Sequence, residues 1–274
     1  MLDYNPASGE AKYDLHGTCL INKEGNYLGI LDYYIFNPDN NKYIIHYISD
    51  NHRYKDNAVK KDNFEMYRGI AKIKSERYIL LRNRNINHLY HFSPVENTSS
   101  ILKNGILSRE AADMLDISYK YTDPCRLDGE LNRVCTSISF PNYKMKYPLE
   151  NQGYNFMIYD IKPEILLTKL DTQFYYTNAA NGFFYDIDKN TLATNEALED
   201  MFYEEDREPN LEKFYTTDPQ AEALISDAVP IEYINGIVAN YYDEEIRKAC
   251  KEKELTFTIN NRLHKYRKDF ARWK

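Results

Sequence analysis

Residues 218–225 read Asp-Pro-Gln-Ala-Glu-Ala-Leu-Ile, and this stretch is the best single indicator of the fold. Gln220 and Glu222 alternate with alanines, which is the period of a β-strand with one apolar face. The pattern predicts a strand over Gln220–Ile225 that carries one carboxylate. Taken alone, the segment is typical of an edge strand with a solvated glutamate, and it is a second stretch far upstream that favours a functional role for Glu222.

The upstream stretch, residues 89–93, reads Leu-Tyr-His-Phe-Ser and lies in a predicted strand over His88–Phe92. A helix signal follows it. Ser93 is a suitable N-cap, Pro94 suits the first helical position, and Glu96 completes a capping box. Gly105 suits the position just after the helix ends. These signals predict a strand followed directly by a helix.

Residues 1–86 read as a small β-rich accessory domain. Its predicted strands are Thr18–Ile21, Tyr27–Phe36, Tyr43–Ile48, Met66–Ile73 and Arg77–Leu81, with a polar loop over Ser49–Asn63. Short connections between such strands favour a small antiparallel, barrel-like domain. Arg82–Asn85 reads as a linker to a second domain, residues 87–274, in which strand and helix patterns are mixed.

The C-terminal segment, Asn261–Lys274, is predicted to form a basic helix. Four apolar side chains at spacings of three and four would share one face: Leu263, Tyr266, Phe270 and Trp273. The other face carries lysines and arginines. Two interpretations stay open, a docked helix with a solvated basic face or a patch that faces nucleic acid.

Charge is unevenly distributed along the chain. The net charge is −7, and residues 89–255 carry 16 Lys/Arg against 30 Asp/Glu, whereas residues 256–274 carry 6 against 1. This pattern argues against a protein coated in basic charge. A polyanion would have to be bound by local basic patches, and the C-terminal segment and Arg82 and Arg84 are the expected ones.

Several classes of protein and site are disfavoured. The four cysteines are not at metal-ligand spacing, so no metal is predicted and a reducing cytoplasm is the expected location. The first residues do not resemble a signal peptide, and no apolar run is long enough to span a membrane. The chain also lacks the glycine fingerprint of a dinucleotide-binding crevice and a phosphate-binding loop.

Five motifs in order resemble the DarT family of DNA ADP-ribosyltransferases. They are residues 89–93 with 101–108 (Ile-Leu-Lys-Asn-Gly-Ile-Leu-Ser), 126–129 (Arg-Leu-Asp-Gly), 137–145 (Ser-Ile-Ser-Phe-Pro-Asn-Tyr-Lys-Met), 177–180 (Thr-Asn-Ala-Ala) and 218–222. The second, third and fourth are similar to the branch of the family that modifies guanine. The resemblance covers about residues 88–240, and residues 1–86 lie outside it.

The resemblance implies an α+β fold with the mixed sheet of an ADP-ribosyltransferase. It implies a toxin that moves ADP-ribose from NAD to a base, expected to be guanine, of single-stranded DNA. It also implies a partner antitoxin whose macrodomain removes the mark. Two alternatives stay open: the same NAD chemistry on RNA or on a protein, as in a phage-defence effector, or a non-catalytic module that binds NAD or nucleic acid.

Glu222 suits this chemistry for reasons that do not depend on the family. Breaking the nicotinamide glycosidic bond of NAD generates a positively charged ribose, which a nearby carboxylate stabilises, and the same carboxylate can take a proton from the attacking group. The flanking alanines leave space for a bulky ligand. The resemblance adds Arg126 as a second catalytic residue, to meet the NAD phosphates or orient the attacking base, with Arg133 as a close competitor.

The resemblance also assigns binding residues. Those expected to contact NAD are His91, Ser93, Asn178, Tyr143 and Met145. Those expected to contact the DNA are Asp128, Asn142 and Arg133. Residues 142–145 are interpreted as a loop that stacks on nicotinamide or positions the strand. The Ser93 hydroxyl can contact NAD, cap the following helix, or do both.

Overall fold

The computed structural model describes residues 11–12, 18–21, 27–37, 42–49, 54–60, 74–123 and 126–273. Contacts divide the chain into two compact units, Met1–Leu80 and Leu81–Lys274. This division lies somewhat before the predicted boundary between residues 86 and 87. The accessory role of the first unit stays a prediction.

The first unit contains an antiparallel sheet. Its strands are β1 (Ala11–Lys12), β2 (Cys19–Ile21), β3 (Tyr27–Asn37), β4 (Lys42–Ser49) and β5 (Tyr54–Lys60). The order is β1-β3-β4-β5, and β2 pairs with another part of β3. Leu31 and Tyr34 of β3 and Tyr43 of β4 form a small core, and a register shift of β3 lies between Leu31 and Tyr33. Within the described residues this sheet is an open path, and no pairing closes it into the predicted barrel.

Three predictions in this region change. The polar loop predicted over Ser49–Asn63 contains β5, which pairs with β4 along its whole length. Residues 74–84 are helical (α1), so the strand predicted over Arg77–Leu81 and the linker over Arg82–Asn85 are both wrong. The buried side chains of Arg77 and Leu81 lie four residues apart, which is a helical spacing. The strand predicted over Met66–Ile73 lies outside the described residues.

The second unit is built on a seven-stranded mixed sheet, which confirms the predicted fold class. Its strands, in the order β10-β11-β8-β6-β9-β13-β14, are β10 (Gln173–Tyr175), β11 (Glu222–Ser226), β8 (Arg133–Ile138), β6 (Leu89–Pro94), β9 (Phe156–Ile161), β13 (Ile234–Ala239) and β14 (Thr256–Ile259). Only β13 and β14 are parallel. A separate pair joins β7 (Ile106–Leu107) to β12 (Ala228–Val229).

Short helices surround this sheet. They are α2 (Thr98–Asn104), α3 (Arg109–Met114), α4 (Tyr143–Asn151), α5 (Asn195–Asp200) and α6 (Glu244–Glu252). Side chains of Ser108, Asn142, Thr194 and Asp243 cap four of them by accepting backbone N–H bonds. Among the described residues, none of these helices has the length and hydropathy needed to cross a bilayer.

The sheet opens between β6 and β8. These strands pair only at Leu89 with Ile138 and at Tyr90 with Ser137, whereas β6 pairs with β9 over its full length. Beyond Tyr90 the backbone of β6 therefore leaves β8, which continues alongside β11. The gap between the two strands is where a ligand can reach side chains of both.

The C-terminal segment is not the predicted amphipathic helix. Residues 261–269 form turns and irregular backbone, and a 3₁₀ turn follows at Phe270–Trp273. Arg267 explains the difference because its guanidinium is 2% exposed and donates to the carbonyls of Thr216 and Thr217, at 2.8 and 2.9 Å. It also pairs with buried Asp269 at 2.6 Å. These long-range bonds override the local helical pattern.

Candidate active site

A cavity of about 210 Å³ lies at the opening between β6 and β8. Nine of the ten predicted site residues line it: His91, Ser93, Arg126, Asp128, Arg133, Asn142, Met145, Asn178 and Glu222. All five sequence motifs contribute to this set, and Arg133, at the start of β8, is its one member from outside them. Tyr143 is the exception and is not among the lining residues.

Glu222 begins β11 and lies in the interior of the sheet. It faces Tyr175 in the register with β10, is 7% exposed, and is followed by a fully buried alanine, Ala223. Its Oε2 accepts the backbone N–H of Ala179 at 2.9 Å. The predicted strand is confirmed, although it starts two residues later than expected. The interpretation as a solvated edge glutamate is therefore wrong.

Burial sets the protonation of Glu222. The pKa of its carboxyl is raised to about 7. Desolvation is the main cause, and the negative charge of Asp128 acts in the same direction. The Ala179 N–H and the charge of Arg126 act in the opposite direction. A carboxyl with this pKa can both accept and release a proton near neutrality, which suits general base catalysis.

His91 bridges the opening of the sheet. Its Nδ1 lies 2.8 Å from the carbonyl oxygen of Cys135 on β8. Burial lowers the pKa of the imidazole, so the ring is neutral, Nδ1 carries the hydrogen that it donates, and Nε2 is left as an acceptor. The backbone of β8 thus fixes the tautomer of a ring that lines the cavity.

Arg126 is held by several groups in the cavity wall. Its Nε donates to Asp128 at 2.9 Å, its Nη1 lies 3.1 Å from the sulfur of Cys135, and its Nη2 donates to the Glu130 carbonyl. The residue has a backbone φ of 40°, in the left-handed region that side chains other than glycine seldom adopt. Such local strain is often concentrated at functional sites.

Arg133 has a different environment, although it also lines the cavity. Its Nη1 donates to the carbonyl of Asp171 at 2.8 Å, and its Nε lies 3.3 Å from Glu130. Arg126, and not Arg133, is among the groups whose charge shifts the pKa of Glu222. This electrostatic link to Glu222 favours Arg126 of the two candidate arginines, and its catalytic role stays a prediction.

Residues 142–145 are not the predicted loop. They begin α4, and the Asn142 Oδ1 caps this helix by accepting the Met145 N–H at 3.1 Å. Tyr143 packs with Phe140 and Tyr215 in a separate aromatic cluster and does not line the cavity. Its contact with NAD stays a prediction. The side-chain amide nitrogen of Asn142 is buried without an acceptor among the described residues. Because Asn142 lines the cavity, this nitrogen is available to donate to a ligand there.

Ser93 does not cap a helix as predicted. It lies within β6, which extends through Pro94, and the turn that follows has no side-chain cap. The hydroxyl instead accepts a hydrogen bond from the amide of Asn97 at 2.9 Å. Proline at the strand end, rather than at the first helical position, explains why the capping prediction is wrong.

Asn178 organises the turn beneath Glu222. Its Oδ1 accepts the N–H of Ala180 at 2.9 Å, which leaves the intervening N–H of Ala179 for the carboxylate of Glu222. The short Asn-Ala-Ala motif therefore has a structural role in the cavity, in addition to any ligand contact.

The segment of residues 119–123 lines the cavity and was missed by the sequence analysis. Asn97 holds it by accepting the Lys120 N–H and donating to the Lys120 carbonyl, both at 2.7 Å. Arg109 donates to the Asp123 carbonyl and lies over the ring of Tyr121 at 5.1 Å. Because the clamp joins residues 23 positions apart, no local pattern could have indicated it.

Metal ligation is a separate question. Within the part of the chain that the structure describes, no group of three or more His, Cys, Asp or Glu side chains is arranged to hold a metal ion.

The thiol of Cys135 also lines the cavity. Burial and the charge of Glu222 raise its pKa to about 12, so it stays protonated and is unsuited to act as a nucleophile.

Comparisons with solved structures place the fold. Thermosipho africanus DarTG in complex with ADP-ribose is 19% identical with a TM-score of 0.50, and the match covers 65% of this chain and 50% of that chain. Thermus sp. 2.9 DarT in complex with NAD+ is 15% identical with a TM-score of 0.42, covering 65% of this chain and 96% of that chain. The same Thermus protein in complex with ADP-ribosylated ssDNA is 15% identical with a TM-score of 0.40, over 65% and 96%.

The matched region therefore spans about half of the Thermosipho protein. A search of curated proteins finds no match. The sequence model of a family described as "ssDNA thymidine ADP-ribosyltransferase, DarT" matches residues 90–266, which is more than half of the 274-residue chain and contains every residue that lines the cavity. The chain belongs to the DarT family.

Proposed function

We propose that this chain transfers ADP-ribose from NAD to a base of single-stranded DNA. The observation that carries the proposal is Glu222, a buried carboxyl with a pKa of about 7 in a cavity lined by His91 and Arg126. Membership of the DarT family supports the same chemistry. Carboxylates positioned in this way stabilise developing positive charge and accept protons.

The reaction follows from these groups. The glycosidic bond between the nicotinamide nitrogen and the ribose carbon of NAD breaks, and neutral nicotinamide leaves with the bonding electrons. The carboxylate of Glu222 stabilises the positive ribose, a base nitrogen forms the new bond to its carbon, and Glu222 takes the hydrogen from that nitrogen. The products are nicotinamide, ADP-ribosylated DNA and a protonated Glu222, which then releases its proton to solvent.

NAD is the co-substrate in this proposal. The neutral His91 offers Nε2 as an acceptor, Ser93 offers a hydroxyl, and Asn142 offers an amide donor that lacks a partner among the described residues. The cavity has a volume of about 210 Å³, whereas typical ligand pockets have volumes of about 300–1,000 Å³. It therefore suits the nicotinamide end of NAD, while the rest of the molecule extends towards solvent.

The acceptor is proposed to be the base of thymidine, because the family is described by its action on thymidine. The sequence motifs pointed to guanine, and that prediction gains no support from the family description. Single-stranded DNA suits either base, because a base outside a duplex needs no costly extrusion. Oligonucleotides that contain only one of the two bases separate the possibilities.

The test uses mass spectrometry of oligonucleotides after incubation with the protein and NAD. We expect single-stranded DNA to gain one ADP-ribose unit, Glu222→Gln to abolish the gain, and Glu205→Gln to leave it unchanged because Glu205 is exposed and does not line the cavity. Modification of RNA or protein alone would keep the NAD chemistry and change the acceptor. Unchanged NAD in every reaction would contradict the proposal and favour a binding module.

A toxin role and its partner are parts of the same proposal. Modified bases block replication, so a cell that contains this activity needs an enzyme that removes the mark, and a macrodomain antitoxin is the expected partner. Action on cellular DNA implies that the protein works in the cytoplasm. Growth arrest on expression, relieved by Glu222→Gln or by the macrodomain partner, is the expected outcome.

A further inference from the structure

A surface groove, separate from the cavity, lies next to α4. The α4 residues that line it differ from those that line the cavity. The groove encloses about 280 Å³ and is lined by Tyr143, Lys144, Tyr147, Pro148, Tyr266, Phe270 and Trp273. Three of its aromatic side chains are well exposed, with Tyr147 at 41%, Tyr266 at 40% and Phe270 at 39%. Such exposure of neighbouring aromatic rings is unusual for a surface with no partner.

The exposed rings form a stacking platform. Tyr266 and Phe270 stack with ring centres 5.0 Å apart and planes at 19°, and Tyr147 lies 4.8 Å from Tyr266. Bases of single-stranded nucleic acids stack on such aromatic faces with little dependence on sequence. The groove therefore has the surface chemistry that a nucleobase requires.

The charges around the groove favour a polyanion. Lys265 and Lys268 are exposed and form no ion pair among the described residues, and no carboxylate is among the residues that line the groove. The buried pair of Arg267 and Asp269 neutralises itself. The surface lysines are left to meet phosphates, in a unit whose other surfaces are mostly acidic.

One helix connects the groove with the cavity. Asn142 and Met145, at the start of α4, line the cavity, while Lys144 and Tyr147 of the same helix line the groove. These residues are only a few positions apart, and a helix rises about 1.5 Å per residue. A single strand that places one base in the cavity can therefore reach the groove with a nearby nucleotide.

We propose that this groove binds a base of the single-stranded DNA next to the nucleotide that reacts, by stacking on Tyr266 and Phe270 while Lys265 and Lys268 meet the phosphates. The proposal rests on the proposed function for the identity of the strand. It adds a non-catalytic DNA site that raises affinity and selects substrates long enough to reach both places. A lining without carboxylates, next in sequence to two exposed lysines, favours DNA over an apolar peptide or a second copy of the chain.

The binding test does not depend on catalysis. Trp273 is the only tryptophan of the chain and lines the groove, so its fluorescence reports directly on a base that enters. Glu222→Gln protein without NAD would be titrated with a fifteen-nucleotide single-stranded oligonucleotide. We expect saturable quenching, with a Kd that rises about tenfold or more in Tyr266→Ala and in Phe270→Ala. Tyr242→Ala, which removes an exposed aromatic ring outside the groove, is the control.

A kinetic test follows with active protein. In Tyr266→Ala and Phe270→Ala we expect the KM for a fifteen-nucleotide oligonucleotide to rise towards the KM for a four-nucleotide one. The change in kcat should be much smaller. The proposal would be overturned if the oligonucleotide did not quench Trp273, or if the Kd were unchanged in Tyr266→Ala and Phe270→Ala, whether or not DNA is modified. Quenching by increasing protein concentration alone would also overturn it, because the occupant would then be a second copy of the chain.

Discussion

At the scale of single residues, Glu222 illustrates what a sequence can and cannot indicate. A lone carboxylate between alanines on a strand is visible in the sequence, and the structure confirms the strand. Its burial and its pKa of about 7 are not visible, because they depend on strands and turns that are distant along the chain, including Ala179 and Asp128. The chemical identity of the site was predictable, and its electrostatics were not.

The pKa of Glu222 predicts the pH dependence of the reaction. Only the carboxylate can accept a proton, so kcat should rise as pH increases through about 7 and level off above it. Asp128→Asn removes a negative charge that raises this pKa, and it also frees the charge of Arg126 to lower it. The midpoint of the kcat profile should therefore move to lower pH in Asp128→Asn, and a midpoint that stays or rises would contradict the assignment.

The same pKa has a consequence for stability. An ordinary glutamate has a pKa of 4.5, so between this value and about 7 the folded state holds a proton that the unfolded state has lost. Stability therefore falls as pH rises through this range, by on the order of 3 kcal/mol once Glu222 is fully ionised. Glu222→Gln removes the charge, so we expect a higher Tm than wild type at pH 8.5 and little difference at pH 5, measured by calorimetry. An equal or lower Tm at pH 8.5 would mean that the carboxylate is better solvated than its burial indicates.

Asn97 is expected to act as a positioning residue. It holds the cavity-lining residues 119–123 through two hydrogen bonds to Lys120, and it also bonds to Ser93. Asn97→Ala should loosen this wall at a cost of about 1–3 kcal/mol, with a raised KM for NAD and a smaller loss of kcat. Asn104→Ala, at the end of the helix that follows, has only one long side-chain bond to lose and serves as the control. A large fall in kcat without a change in KM would assign Asn97 a different role.

At the scale of secondary structure, local signals worked where packing agreed with them. The strand at Leu89–Pro94 and the end of the next helix at Gly105 match their patterns. The basic C-terminal helix failed because Arg267 forms buried bonds to residues about 50 positions away. The loop predicted at residues 142–145 is wrong because Asn142 caps a helix that begins at Tyr143.

The turn between α2 and β7 provides a test at this scale. Gly105 has a φ of 77°, and a Cβ placed there would lie 2.5 Å from the backbone oxygen of Val229. Gly153 has a φ of 93° but open space around it. Gly153→Ala should therefore lose only the about 1–2 kcal/mol of left-handed strain, whereas Gly105→Ala should lose clearly more because the pairing of β7 with β12 must shift. Equal losses in denaturant unfolding would show that the turn relaxes freely.

At the scale of the whole molecule, topology was the least predictable feature. The motifs fall in order along the chain, but the sheet order places β8 between β11 and β6 through pairings that cross tens of residues. The opening between β6 and β8 arises because their pairing stops at Tyr90, which no local pattern encodes. The uneven charge, in contrast, is visible in the sequence. It identifies residues 256–274 as basic, and three side chains of this segment line the proposed DNA groove.

The position of the domain boundary gives the last prediction. The division after Leu80 falls within the helical residues 74–84, whereas the sequence analysis expected the transferase domain to begin at residue 87. Arg84 lies over the ring of Phe202 at 4.2 Å, and Ile86 is only 4% exposed. A chain that starts at residue 87 loses both contacts, so its Tm should lie several degrees below that of a chain that starts at residue 74, at about 2–4 °C per kcal/mol for a domain of this size. Both truncations lack the first sheet, so the difference isolates residues 74–86, and equal Tm values would support a boundary at residue 87. A lower Tm for the chain that starts at residue 87 would mean that the last residues of the helix at 74–84 belong to the transferase unit.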